Sequence, residues 1–268
     1  MPEAGDREPG MSFDDDLTAC AALVERGDPG RFAATMAAPV AARPALFAIY
    51  AFNVEVTRAP RVTAEPMIAG MRLQWWRDAL AEIAAGGPVR RHEVATPLSR
   101  VLDARGAALL DDLVVARWRD CEAAPFEDTA QLLDYLDKTS AHLLLAAARA
   151  LGDVPEGPVR AAGLALGVAN WLRAVPALRA AGHRPLPEDD AEAVRGLARE
   201  GLARLAEARA RRAGIPTAVR PAMLAVWQAA PVLRCAARRP GDVAAGRLEL
   251  APARARVTLM LRAASGRW

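Results

Sequence analysis

The sequence is poor in cysteine, in aromatic residues and in runs of β-branched residues. Its three cysteines, Cys20, Cys121 and Cys235, lie far apart and include no CxxC pair. They predict neither a disulfide framework nor a zinc site, which suits a reducing compartment. Aromatic residues make up 5% of the chain, and no segment resembles a strand or a βαβ unit. A disulfide-stapled secreted fold and a sheet-based fold are therefore disfavoured.

Long apolar runs are also scarce. The two longest uncharged runs, residues 161–172 and 221–233, fall short of the roughly 20 residues that a bilayer-spanning helix needs. The N-terminal segment, MPEAGDREPGMSFDDD, is polar and acidic, unlike a signal peptide. We expect a cytoplasmic protein, and peripheral contact with the inner membrane stays open.

Lysine is nearly absent, because Lys138 is the only one in the chain. Residues 181–268 hold 16 arginines against 8 acidic residues, a net charge of +8, so residues 1–180 carry −5 of the total of +3. Such asymmetry can serve an anionic partner such as a membrane surface. The plainer interpretation, arginines that solvate long alanine-rich helices, is favoured. Aromatic residues are not interleaved with the arginines, so we expect no nucleic acid partner.

What the sequence does contain is alanine and leucine, which dominate its 53% hydrophobic content. Both residues favour helices, so the sequence predicts an all-α fold. We expect a disordered segment at residues 1–12 and a single domain over residues 13–268. The breaker residues and apolar spacing predict helices at about 14–26, 31–38, 41–58, 64–85, 94–104, 107–121, 128–151, 157–181, 188–213, 216–238 and 243–264.

The segment MRLQWWRDALAE, residues 71–82, is the most unusual in composition. Trp75 and Trp76 point about 100° apart on a helix, so one can pack in the core while the other borders a cavity. Gln74 lies four residues before Asp78, which lies four before Glu82. An acid pair at that spacing could hold a magnesium ion against a phosphate. An ordinary solvated helix face is several times more common, and it is the favoured interpretation.

A second notable segment begins at Gly163. Gly163 and Gly167 lie four residues apart on an apolar helix and predict close approach of a neighbouring helix. Asn170 and Arg173 are then the first polar residues of that helix, and a buried arginine normally has a carboxylate or phosphate partner. The chain's histidines are scattered without metal-ligand spacing, so we expect no metal site.

In their order and spacing these segments resemble the squalene/phytoene synthase family. The resemblance runs from RFAATMAAPVAARPALFAIYAFNVEV through RLQWWRDALAEI and LLDYLDKTSAHLLLAAARALG to GVANWLRAV and RPLP. It implies the all-α isoprenoid-synthase bundle around a central cavity, and enzymes that condense two prenyl diphosphates head to head. It also implies magnesium ions held between two aspartate-rich helices that face each other across the cavity.

The first family motif is altered in this chain. The family pattern continues from Tyr-Ala-Phe-Cys-Arg to aspartates in the next two turns. This chain keeps Tyr50 and Phe52, but it has Thr57, Arg58 and Arg61 where the aspartates are expected. The first of the two metal-binding faces has therefore become cationic.

The second family motif, Asn-Ile-Leu-Arg-Asp with an acid four residues later, is altered too. Asn170 and Arg173 stand in family positions, but Ala174 and Leu178 replace the acids. Glu55 is the only carboxylate near either motif, and one acid cannot organise a magnesium cluster. The resemblance thus predicts no cofactor, with magnesium required only by an active enzyme.

These substitutions resemble the branch of the family that includes the assembly factor of mitochondrial respiratory complex I. The resemblance implies a non-catalytic assembly or binding protein, in contact with a membrane-associated complex such as complex I or with an isoprenoid or lipid ligand. The alternative is an active prenyltransferase with a displaced acid set, Asp78 and Glu82 with Glu55. Candidates for the ancestral cavity or for ligand binding are Arg43, Tyr50, Asn53, Glu55, Arg58, Gln74, Trp75, Asp78, Asn170 and Arg173.

Overall fold

A computed structural model describes residues 13–61, 65–122 and 124–268; residues 1–12, predicted to be disordered, lie outside the described part. The described residues form helices and no strand, which confirms the all-α prediction. The α-helices are α1 (Phe13–Gly27), α2 (Pro29–Met36), α3 (Arg43–Arg58), α4 (Pro66–Ala84), α5 (Ala95–Leu98), α6 (Ala104–Arg117), α7 (Arg119–Glu122), α8 (Thr129–Leu136), α9 (His142–Arg149), α10 (Glu156–Ala180), α11 (Ala191–Ala210), α12 (Arg220–Met223), α13 (Ala229–Arg238), α14 (Gly241–Ala244) and α15 (Pro252–Ser265).

Local sequence signals fix where several of these helices begin. Asp28, Asp103, Asp128 and Asp190 each accept a hydrogen bond from a backbone N–H in the first turn of α2, α6, α8 and α11. Such a cap satisfies one of the backbone donors that a helix start leaves unpaired, and each is worth about 1 kcal/mol.

Several of the predicted helices are shortened or divided in the structure. The predicted helix 107–121 is divided at Trp118 into α6 and α7. The predicted helix 94–104 is reduced to the single turn of α5, and residues 99–101 form turns before α6 begins. The predicted helix 216–238 is divided into α12, a 3-10 segment at Leu224–Gln228, and α13. The predicted helix 243–264 was wrong as one element, because Gly246 has a positive φ of 67° and Pro252 starts a new helix, α15.

The predicted helix 128–151 is helical without a gap from Thr129 to Arg149, but it contains a π-helical segment, Asp137–Ala141, between α8 and α9. A π turn inserts one extra residue, and such turns occur often at functional sites. Here it packs against α10, where the two glycines stand. A Cβ at Gly163 would lie 2.6 Å from Cα of Ala141, and one at Gly167 would lie 2.8 Å from Cβ of Ser140. The predicted close approach at these glycines is confirmed.

Helix α10 is the centre of the bundle, surrounded by α9, α11, α13 and the π segment. It is long and apolar enough to cross a membrane by length and composition, so the sequence-based expectation of no such helix was too strict. Just over half of its apolar stretch is buried by neighbouring helices, 56%, as in the core helix of a bundle. Helix α3 packs on α1, α2, α5 and α9, and it reaches the same cavity as α10.

Candidate functional site

Helices α3 and α10 present one face each to a cavity of about 340 Å³. The π segment, the first turn of α2, and residues at the ends of α6 and α8 complete its wall. The lining residues are Gly27, Asp28, Arg31, Asn53, Val54, Thr57, Arg58, Arg117, Tyr135, Leu136, Thr139, Ser140, Gly167, Asn170, Trp171, Ala174 and Leu178. The two segments at which the family motifs were recognised therefore face one common space.

On the α3 side the wall is built by Asn53 and Thr57, one helical turn apart, with Val54 and Arg58 beside them. Asn53 is 8% exposed, and its Oδ1 atom has no hydrogen-bond partner within the described part of the chain. The hydroxyl of Thr57 is also buried without a partner there. A buried polar atom without a hydrogen bond destabilises the fold by about 1–3 kcal/mol unless a water or ligand bonds to it. This wall can therefore bind a polar group of a ligand.

On the α10 side the wall follows the helical repeat from Gly167 through Asn170, Trp171 and Ala174 to Leu178. Trp171 is fixed by a hydrogen bond from its Nε1 to the carbonyl of Pro185, at 2.8 Å. Ala174 and Leu178 contribute only apolar atoms. Beyond Asn170 this wall suits a hydrocarbon, and the amide oxygen of Asn170 is the one side-chain oxygen that its residues could offer a cation.

Three guanidinium groups, of Arg31, Arg58 and Arg117, border the cavity. Arg31 is buried, forms an ion pair with Asp28, and lies 5.5 Å from the centre of the Tyr50 ring. Arg58 is exposed and makes a loose ion pair with Glu55, at 3.4 Å. Asp28 is the one carboxylate among the lining residues, so the wall is cationic overall.

Arg117 is held by two side chains, those of Tyr135 and Asp120. It donates to the hydroxyl of Tyr135 at 2.6 Å and pairs with Asp120 at 3.0 Å, while that hydroxyl donates to Asp120 at 2.8 Å. Its Nε donor is buried without a partner among the described residues. The triad orients one guanidinium at the cavity wall and leaves one N–H for another acceptor.

A smaller recess of about 100 Å³ shares Thr57, Arg117, Trp171 and Leu178 with the cavity. It adds Phe126 and further cationic and polar side chains, namely Arg119, His183 and Arg184. The shared residues mean that the recess extends the cavity along the C-terminal half of the α10 wall.

The donor set of the cavity does not fit magnesium. Mg²⁺ takes oxygen ligands in an octahedral arrangement and is usually held by carboxylates. The lining offers one carboxylate, Asp28, which already pairs with Arg31 and accepts from the backbone N–H of that residue. No group of three His, Cys, Asp or Glu side chains converges anywhere in the described part of the chain.

The displaced acid set is not assembled at this cavity. Asp78 is exposed and accepts from Gln74 at 2.7 Å, while Glu82 pairs with Arg90 at 2.6 Å on the outside of α4. The Arg90 guanidinium lowers the pKa of Glu82. Glu55 lines a separate recess of about 150 Å³ between α3 and α4, together with Trp75. None of these residues is among those lining the cavity of α3 and α10.

The other candidate residues are divided between the cavity and structural roles. Of the ten candidates, Asn53, Arg58 and Asn170 line the cavity. Tyr50 lies behind its wall, buried with an unpaired hydroxyl among the described residues, and burial raises its pKa to about 12. Its hydroxyl is therefore neutral at physiological pH.

Arg43 and Arg173 have structural partners instead. Arg43 donates to the carbonyls of Met36 and Ala38, which close the end of α2. Arg173 has the carboxylate partner expected for such an arginine, Glu249 at 2.7 Å, and it also donates to Gln228. The Arg61 side chain lies outside the described residues.

Sequence reasoning missed Arg31, Arg117, Tyr135, Thr139 and Ser140. They come from α2, α6, α8 and the π segment, which reach the cavity only through tertiary packing. The N-cap residue Asp28 and the family-like segment around Tyr135 were visible in the sequence, but neither indicated a contribution to the site.

Comparison with known proteins agrees with this architecture. The sequence pattern of the squalene/phytoene synthase family matches residues 24–213. The fold resembles a dehydrosqualene synthase with a TM-score of 0.77 and 17% identity, over 96% of this chain and 98% of that one. It also resembles a squalene synthase from Alicyclobacillus acidocaldarius with a TM-score of 0.69 and 20% identity, over 85% and 95% of the two chains.

The sequence is also similar to curated proteins that are described as complex I assembly factors and not as synthases. It is 34% identical over 167 residues to a Drosophila melanogaster homologue of NADH dehydrogenase (ubiquinone) complex I assembly factor 6, covering 59% of this chain and 50% of that protein. It is 26% identical over 162 residues to the human assembly factor 6, covering 59% and 48%. The chain thus spans about half the length of the curated relatives that it matches. Because the family pattern covers well over half of the chain, this protein belongs to the squalene/phytoene synthase family.

Proposed function

We propose that this chain is a non-catalytic member of its family and that it acts in the assembly of respiratory complex I. One observation carries the proposal: Thr57 on α3 and Ala174 and Leu178 on α10 face one cavity from the two motif positions. The similarity to proteins described as complex I assembly factor 6 supports the assembly role.

The chemistry of the cavity supports the non-catalytic part. Ionisation of an allylic diphosphate requires that the charge developing on the leaving group be stabilised strongly, which preorganised cations provide. Arg31 and Arg117 are already paired with Asp28 and Asp120, and Arg58 is exposed to solvent. These groups can orient an anion. Because each is already paired with a carboxylate or exposed to solvent, they would stabilise a developing negative charge only weakly.

The same walls support binding of an amphiphile, an isoprenoid or a lipid. The unpaired polar atoms of Asn53, Thr57 and Arg117 offer hydrogen bonds to a polar head group, while Trp171 and Leu178 offer an apolar wall to its chain. A cavity of about 340 Å³ is within the range of small-molecule sites.

The test pairs a gene deletion with complementation in the native host. We expect the deletion to lower complex I activity and to leave isoprenoid products unchanged. The intact chain should restore activity and should capture complex I subunits from the membrane fraction. As a probe of the cavity, Asn53→Leu with Thr57→Val should impair complementation, whereas Gln74→Leu with Asp78→Leu on the outside of α4 should not.

Two results would overturn the proposal. One is a deletion strain with normal complex I activity and altered isoprenoid products. The other is turnover of farnesyl or geranylgeranyl diphosphate by the purified chain with magnesium, at a rate abolished by Glu55→Ala. The second result would revive the prenyltransferase alternative, although its three acids do not meet at this cavity.

A further inference from the structure

Helix α15 presents large apolar residues to solvent as well as apolar residues to the core. Ala255, Leu259 and Ala263 pack against the bundle. Val257, Met260 and Leu261 are 56%, 69% and 64% exposed. A surface helix of a globular domain normally turns its apolar stripe inward, so a second apolar stripe on the outside indicates a further contact.

The arginines of α15 lie on both sides of this outer stripe. At about 100° per residue, Val257, Met260 and Leu261 fall within an arc of about 100°, and Arg254 and Arg256 fall just outside its two edges. The structure agrees, because Arg254 lines the groove towards α13 and Arg256 lines the groove towards α2. Helix α15 itself contains no acidic residue.

Neighbouring cations extend this surface. Arg234 and Arg238 on α13 are exposed and line with Arg254 a groove of about 640 Å³. None of these three, nor Arg256, forms an ion pair within the described residues, whereas Arg247 pairs with Asp242.

Several positive charges lie close enough to Arg209, on α11, to affect its pKa. Burial, together with the charges of Arg262, Arg234 and Arg212, lowers the pKa of Arg209 to about 10. Arg209 also donates from Nε to the carbonyl of Trp268 at 2.8 Å, and the Trp268 side chain is buried. The segment that follows α15 is thus held on the bundle, which keeps the outer stripe facing away from it.

From this arrangement we infer that α15 is a docking surface for an anionic lipid bilayer. The helix would lie in the plane of the interface, with Val257, Met260 and Leu261 inserted among the lipids and Arg254 and Arg256 on the lipid phosphates. Apolar area on one face with arginines along its edges is the pattern of helices that bind membrane surfaces in this way. The inference uses no residue of the cavity and is independent of the proposed function.

The test measures sedimentation of the purified full chain with vesicles of phosphatidylcholine alone or mixed with phosphatidylglycerol. We expect binding only to the anionic vesicles, with an affinity that falls steeply as salt is raised. Arg254→Ala with Arg256→Ala should weaken binding about 25-fold, since each arginine near the surface is worth about a factor of five. Met260→Ser with Leu261→Ser should weaken it at least about tenfold.

Matched controls change the same chemistry elsewhere. Arg26→Ala with Arg72→Ala removes two exposed arginines, on α1 and α4, that form no ion pair within the described residues, and Met67→Ser with Met71→Ser removes two exposed methionines of α4. Both control variants should bind anionic vesicles as the parent chain does. Thermal unfolding of all variants checks that each is folded.

Three results would overturn the inference. Equal binding to neutral and anionic vesicles would show that the arginines do not contribute to membrane binding. Equal losses in the α15 variants and their controls would show a diffuse charge effect without a surface. Failure of the folded parent chain to bind either vesicle would assign the stripe to a protein partner instead.

Discussion

The Ser140 hydroxyl on the π segment donates a hydrogen bond to the carbonyl of Gly163 on α10, at 2.8 Å. The bond lies where α10 and the π segment come closest. Gly163 has no Cβ atom, so the backbone of α10 can approach the backbone of Ala141 there. The pair therefore fixes the distance between the π segment and α10, two walls of the cavity.

Gly163→Ala should destabilise the protein by about 1–3 kcal/mol, because the new Cβ would lie 2.6 Å from a backbone atom that cannot rotate away. The matched control is Gly196→Ala on α11, where no atom lies within 4 Å of the added Cβ. That change should stabilise by about 0.5–1 kcal/mol through helix propensity. Urea unfolding measures both, and equal effects of the two substitutions would contradict the close-approach argument.

The Arg117, Asp120 and Tyr135 triad should behave as one unit. Asp120→Ala leaves the Arg117 guanidinium without its ion pair and should cost about 2–3 kcal/mol. Arg117→Met with Asp120→Ala should cost less than the sum of the two single changes. A double-mutant cycle of unfolding free energies gives the coupling, and additive effects would show that the pair is not coupled.

Replacing residues at the two motif positions with acids should create metal binding in the cavity. Thr57→Asp, Arg58→Asp, Ala174→Asp and Leu178→Asp in one chain place carboxylates on both walls of the cavity. We expect magnesium to raise the melting temperature of this variant and not that of the parent chain, since a ligand of the folded state stabilises it. Ala81→Asp with Ala84→Asp, at exposed positions of α4, is the control. An equal response in both variants would indicate nonspecific ion binding.

The sequence predicted the helical class because alanine and leucine favour helices, and the resemblance to the family identified the two motif segments. Asn53 and Thr57 are one turn apart, and Asn170, Ala174 and Leu178 follow the same period, so their shared orientation can be derived without a structure. The glycine contact at Gly163 was predictable for the same reason.

What could not be predicted depends on contacts between distant segments. Arg31 reaches the cavity from α2, and Arg117 reaches it from α6 through its bonds to Tyr135 and Asp120. The acid pair Asp78 and Glu82 has the spacing of metal ligands, but the direction of its helix face is set by how α4 packs on α6. Gly246 and Pro252 are residue types that interrupt helices. The alanine-rich sequence on both sides of them nevertheless favoured one continuous helix, so the break was not predicted.

His92 should make the stability of the protein depend on pH. Its ring lies against the indole rings of Trp75 and Trp76, at centroid distances of 4.9 and 5.4 Å. Its Nδ1 accepts a hydrogen bond from the backbone N–H of Val94 at 3.1 Å, which requires that this nitrogen carry no proton. Burial lowers the pKa of His92 below its ordinary value of 6.5, against the opposing effect of nearby acids such as Glu93. The folded state therefore favours the neutral ring.

The sign of the effect follows from linkage. A group with a lower pKa in the folded state contributes its stability above the unfolded pKa and loses it as pH falls below about 6.5. His92→Asn keeps an acceptor for Val94 and removes the titration, so its unfolding free energy should fall less than that of the parent chain between about pH 7.5 and about pH 5.5. Urea unfolding at both pH values measures the difference. Parallel losses in the two proteins would mean that the acid-sensitive groups lie elsewhere, because every other titrating residue is common to both chains.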